Sequence, residues 1–333
     1  AVSSGFMVSR ARSECGGGGD EVSWRDVVDG FELLDDSRVG GAAVAEWLRG
    51  AGVQEIQVSP VVGERGRTEF VRVLIPGANG RTVGGTAPTL GLIGRLGGIG
   101  ARPERIGFVS DGDGALTVLA AAAKLGRMQA RGDLLPGDVL VATHVCPDAP
   151  IRPHDPVPFM NSPVGMEVMN AHEVDDAMDA VLSVDTTKGN RVCNHQGFAI
   201  TPTVRQGWIL RVSEDLLDIA SQVTGRAPAV LPLTMQDITP YGNGVHHVNS
   251  ILQPATATSA PVVGVAITTE TVVPGSGTGA SDLASVESAV RFCIEAAKAY
   301  GAGGCRWYDA EEFDRLVGLY GPMCRLQGAD EPN

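Results

Sequence analysis

Asp111 and Asp113 stand one residue apart in IGFVSDGDGALTVLAAAAKL, residues 106–125. Two carboxylates at that spacing can hold a divalent cation or pass protons. The apolar run 106–109 before them reads as a buried strand. From Ala115 onward the residues favour helix. The order is therefore strand, acidic turn, helix, and in open α/β sheets ligands sit outside the carboxyl ends of the strands, where such turns lie. The two acids also have a plainer use, capping the helix and complementing its dipole. Both uses stay open from the residues alone.

Other polar residues gather after apolar runs in the same way. His144, Cys146, Asp148 and His154 follow the run 138–142. Asp185 closes 180–184, Asp237 follows 230–234, and Glu270 follows 261–268. Strand ends of one sheet converge, so these positions predict one site. Asp113, Asp185 and a histidine would suit a divalent metal that activates water. His144 equally reads as a histidine bonded to backbone. His246 and His247 are adjacent, so in regular structure at most one faces the site. His195 sits in a polar turn and His172 reads as an exposed helix residue. Cys146 lacks any visible device that would lower its pKa, and no GxSxG elbow is present.

The elements that must position these residues follow in order. Helices are expected over 21–34, 40–50, 89–96, 213–225, 282–300 and 309–319. Strands are expected over 53–60, 68–75, 106–109, 138–142, 180–184, 208–212, 230–234 and 261–268. Such alternation predicts an α/β fold: a three-layer αβα sandwich with a mostly parallel central sheet. A leader is expected over 1–20 and a single α/β domain over 21–333, with room for a small inserted subdomain.

The chain has 333 residues, 43% of them hydrophobic, and a formal net charge of −13. That charge argues against nucleic acid or an anionic membrane as partner. No GxGxxG or GxxxxGK[ST] loop occurs, so no nucleotide cofactor is expected. The six cysteines have no CxxC spacing and read as reduced thiols of a cytoplasmic protein.

The order of motifs resembles the co-catalytic zinc aminopeptidases of the glutamyl and tetrahedral type. SDGDGALTVLAAAAKL looks like their bridging-aspartate turn and helix, with Asp111 or Asp113 as the bridge. SVDTTKG looks like their strand ending in a ligand aspartate, here Asp185. PVVGVAITTETVVPGSGTGASDLASVESAVRFC resembles their closing strand, loop and helix. Three of their features are missing: the Glu-Glu pair, where THVCPDAP stands; the closing histidine, where Pro274, Gly275 and Ser276 stand; and the upstream His-x-Asp. The whole pattern, including MQDITPYGNGVHHVNSI, resembles an uncharacterised bacterial family described only as a domain of unknown function.

The resemblance implies an aminopeptidase-like architecture and a hydrolase acting on an amide of a small peptide, lactam or amino-acid derivative. The metal would be zinc, manganese or cobalt, held by Asp113, Asp185, Asp111 and His144 or His247. Asp148 or Glu270 would take the proton in place of the missing glutamate. The alternatives are a non-catalytic binding or assembly protein on the same scaffold, and a metal-free lyase or cyclase using His144 and Asp148. The expected ligand is a small molecule or short peptide, and the expected assembly a homo-oligomer.

Overall fold

A computed structural model describes residues 23–95, 98–153, 159–247, 249–270 and 278–328. The leader expected over 1–20, His154, and Pro274 to Ser276 lie outside the described residues.

The chain opens with two helices, α1 (Trp24–Asp35) and α2 (Gly41–Gly50). The hairpin β1 (Glu55–Gly63) and β2 (Gly66–Ile75) follows. Next come β3 (Leu90–Gly94), β4 (Gly98–Ile99), α3 (Asp113–Ala130) and β5 (Val139–Cys146). A small ribbon, β6 (Ile151–Arg152) with β7 (Phe159–Met160), leads to α4 (Met166–Glu173) and β8 (Ala180–Thr186). Short strands β9 (Gly197–Ile200), β10 (Val204–Arg205) and β11 (Trp208–Ile209) precede α5 (Glu214–Thr224). The chain closes with β12 (Val262–Thr268), α6 (Leu283–Gly301) and α7 (Ala310–Tyr320).

The main sheet runs β1-β2-β5-β3-β8-β12-β10-β11. Its centre, β5-β3-β8-β12, is parallel, and antiparallel strands extend it at both edges. Parallel strands are covered on both faces and so read as continuous apolar runs; every residue of β3 and β12 is buried. Helices α1, α2, α3, α5 and α6 cover one face. The other carries α4 and several 3-10 turns. The three-layer α/β architecture expected from the sequence is the one found, and no described helix is long and apolar enough to cross a membrane.

Helix α3 lies deepest. Fourteen of its 18 residues are buried, and its Ala-rich sequence lets it lie close to the sheet. At Gly114 an added Cβ would stand 2.4 Å from the Val184 carbonyl oxygen, so only glycine lets the helix start so close to β8. That contact fixes the acidic turn against the sheet.

Three local expectations need correction. Residues 106–109 are not a strand: Gly107 has φ +87°, Ile106 is 95% exposed, and the Phe108 N–H donates to the Asp35 carboxylate at 2.5 Å. Residues 89–96 contain β3 rather than a helix, because a short apolar run cannot be assigned by periodicity alone. Of 230–234 only Val230 makes a bridge, to Ile200, and 208–212 shortens to β11.

Candidate active site

The sheet register sets the site. Ile93 of β3 pairs with Ala142 on β5 and with Ser183 on β8. Side chains two residues on share a face, so His144, Arg95 and Asp185 form one cross-strand row. Arg95 follows β3 directly, and its N–H still donates to the Val184 carbonyl at 2.7 Å. Strands stand about 4.8 Å apart, so the His144 and Asp185 backbones are about 10 Å apart with Arg95 between them.

Arg95 is fully buried. Its Nε is 3.3 Å from Glu173 Oε2 on α4, and its Nη2 donates to Asn170 Oδ1. Burial lowers the Arg95 pKa and pushes the Glu173 carboxyl up to about 7. Asp185 is 1% exposed. It accepts from the Thr186 N–H at 2.7 Å and from the Ser250 hydroxyl at 3.1 Å. Burial outweighs those bonds and pushes its carboxyl up to about 7. The Tyr241 hydroxyl is pushed up to about 12, by burial first and then by the charges of Asp185, Asp237 and Asp111.

The second half of the site comes from the start of α3. Asp113 accepts from Lys188 Nζ at 2.7 Å through one oxygen and from the Ser281 hydroxyl at 2.5 Å through the other. Burial still raises its pKa, against the pull of Lys188. Asp111 is 3% exposed, and its buried Oδ2 has no hydrogen-bond partner among the described residues. Its carboxyl is raised well above the usual range, by burial first and then by Asp185 and Asp113. Neither aspartate caps α3, whose N-cap is Gly112 without a side-chain bond. The site thus holds four carboxyls, Asp111, Asp113, Asp185 and Glu173, against two cations, Lys188 and Arg95.

The remaining candidates stand outside the carboxyl cluster. His144 is buried in the row, packed on the Phe70 ring at 5.2 Å, with Arg95 between it and Asp185. His247 approaches the Val245 carbonyl through Nδ1, and the Thr239 carbonyl and hydroxyl through Nε2, at 3.1–3.2 Å. Its ring packs on Tyr241. Asp148 is exposed beside the Cys146 thiol, which burial pushes up to about 12. Glu270 is exposed beyond the end of β12. Asp237 accepts from the N–H and hydroxyl of Thr234 at 2.9 Å each, holding a 3-10 turn together. His172, expected to be exposed, is half-buried and stacks on Phe70 at 4.4 Å.

Among the described residues no group of three or more His, Cys, Asp or Glu stands close enough to hold a metal ion. The two oxygens of Asp113 face Lys188 and Ser281, and neither His144 nor His247 completes a donor set with the aspartates. These residues do not fit the divalent ion that the resemblance implies. A cavity of about 820 Å³ lies at the opposite edge of the sheet, lined by Asp179, Arg205, Tyr300, Trp307 and Tyr308. Asp179 precedes β8 and Asp185 lies near its far end, roughly 20 Å apart at about 3.3 Å per residue, so that cavity and the carboxyl cluster are separate.

Sequence reasoning missed Arg95, Glu173, Lys188, Ser250 and Ser281. Lys188 had a signal, lying three residues after Asp185 in the same strand exit. Arg95 had another, as the one charge ending the apolar run LGLIG.

The likeness to one solved structure agrees with this architecture. Among solved structures, the glutaminyl cyclase of an Acidobacteriales bacterium is 15% identical, with 91% of this chain and 100% of that one covered and a TM-score of 0.51. A mutant of tomato leucine aminopeptidase is 14% identical at a TM-score of 0.47, with 81% of this chain covered. This chain covers 61% of the tomato enzyme's length. At such identities the likeness is one of fold alone. No curated protein matches the sequence. The family model described as "Protein of unknown function (DUF1177)" matches residues 59–330, and on that match the chain belongs to the DUF1177 family.

Proposed function

We propose that the protein is an acid–base enzyme acting on an amide of a small peptide, lactam or amino-acid derivative, as a hydrolase or cyclase. The observation that carries this reading is Asp111: a buried carboxyl with one oxygen unpartnered among the described residues, beside a second buried carboxyl, Asp185, and near the Lys188 ammonium. Such buried, mutually perturbed carboxyls in one cluster are marks of proton-transfer sites. The scaffold shared with a glutaminyl cyclase supports the same class.

In this reading one of the two carboxyls, ionised, takes the proton from the attacking water or amine. The other, protonated, gives its proton to the leaving nitrogen. Lys188 faces the negative charge that develops on the carbonyl oxygen. Arg95 and Glu173 touch no substrate; they fill the space behind Asp185 and hold its environment dry.

The test is a panel of amino-acid amides, glutaminyl dipeptides and lactams, incubated with purified protein and read by mass spectrometry and ammonia release. Turnover of at least one compound, abolished in Asp111→Asn and Asp185→Asn with the circular dichroism spectrum unchanged, is the expected result. Turnover that both variants retain would overturn the assignment.

A further inference from the structure

We propose that the Lys188 ammonium takes the place of a divalent cation at this strand edge, so that the centre is built to work with an internal, covalently tethered charge. The inference stands apart from the reaction proposed above, because metal content can be measured whether or not a substrate is found.

Four observations carry it. The first is the pairing of Lys188 with Asp113, at 2.7 Å and with 5% and 0% side-chain exposure. A dication on the same carboxylate oxygen would lie within a few ångströms of a buried ammonium, where like charges repel most strongly. The second is the donor set. Ser281 holds the other oxygen of Asp113 at 2.5 Å, the Thr186 N–H and Ser250 hold Asp185, and no metal-binding group of three forms among the described residues.

The third is charge balance. Arg95 stands against Glu173 and Lys188 against Asp113, so fixed protein cations already oppose two of the buried carboxyls. The fourth is residue choice. Only three of the chain's 26 basic residues are lysines, at 124, 188 and 298, and the others are arginines. The site uses one of these few, and an ammonium is a compact point charge where a guanidinium is a broad fork. Lys188 also leaves the same strand as Asp185, so one exit from β8 supplies both a carboxyl and its fixed cation.

The experiment uses the full chain, expressed with zinc, manganese and cobalt each supplied in excess, then dialysed and analysed for metal by mass spectrometry. The expected result is far less than one ion per chain, with a melting temperature unmoved by ZnCl2, MnCl2, CoCl2 or EDTA. A stoichiometric ion in the wild type that is lost in Asp113→Asn would overturn the proposal. The second arm is Lys188→Ala. Its melting temperature should fall by about 5 °C or more and recover in part with methylammonium chloride, but not with tetramethylammonium chloride, which is too large for the vacated space. An Ala variant as stable as the wild type would also overturn the proposal. If that variant does not fold, calorimetric titration of the wild type with ZnCl2 and MnCl2 decides. Micromolar binding that Asp113→Asn removes refutes the proposal, and absence of binding sustains it.

Discussion

Asp185→Asn tests the electrostatics of the site directly. In the folded protein burial holds the Asp185 and Glu173 carboxyls near 7, against ordinary values of 3.8 and 4.5. Between those limits the folded chain keeps protons that the unfolded chain has released. Their contribution to stability is fully present below about pH 4 and is lost as pH rises through about 7. Each such proton changes stability by about 1.4 kcal/mol per pH unit, so Asp185 alone should lower wild-type stability by roughly 2–3 kcal/mol from about pH 5 to about pH 7. Asparagine is nearly isosteric, can still accept from the Thr186 N–H, and does not titrate. The variant should therefore gain on the wild type by roughly that amount over the same interval, while the fall owed to Glu173 persists in both. Urea unfolding followed by tryptophan fluorescence, with Trp307 buried as a reporter, measures this at several pH values. Parallel pH profiles for the two proteins would refute the claim that Asp185 is held protonated by burial.

Three further perturbations follow from the packing. Glu173→Leu strands the fully buried Arg95 guanidinium, and urea titration should show a loss of about 3–5 kcal/mol. Gly114→Ala would put a methyl 2.4 Å from the Val184 carbonyl; thermal melts should show a loss of about 1–3 kcal/mol, with α3 pushed off β8. Ser213→Ala removes the oxygen that accepts from the Leu216 N–H at the start of α5, and denaturant unfolding should register about 1 kcal/mol.

Much of the fold was legible because its signals are local. The caps Ser213, Asp282 and Asp309 begin α5, α6 and α7, and the runs at β2, β5, β8 and β12 read as strands from composition. The failures have two causes. Ile106 stays exposed because Asp35, 73 residues earlier, captures the Phe108 N–H, and no window of sequence contains both groups. LGLIG of β3 is too short and too apolar for periodicity to separate strand from helix. Within the site, Asp111, Asp113 and Asp185 were visible as acids after apolar runs. Arg95 and Lys188 had only their positions at strand exits as a signal, because an arginine or lysine in sequence reads as surface, and only tertiary packing shows that both side chains are buried. The scattered candidates His247, Asp148 and Glu270 follow apolar runs too, yet loop conformation, not strand position, decides where they point.

The depth of α3 bears on how the molecule breathes. Most proteins place reactive groups on loops that open by themselves at small free energy. Here Asp113 lies in the first turn, and Asp111 just before it, of a helix that touches α1, α2, α6 and five strands of the sheet. That helix cannot detach alone without exposing the whole interior. The amides of its central turns should therefore exchange with deuterium only when the chain unfolds globally, among the slowest in the molecule. Traffic of ligand and solvent to the carboxyls must then come from other walls of the site, such as those carrying Tyr241, Ser250 and the exit of β8, while the wall that carries the two aspartates stays still.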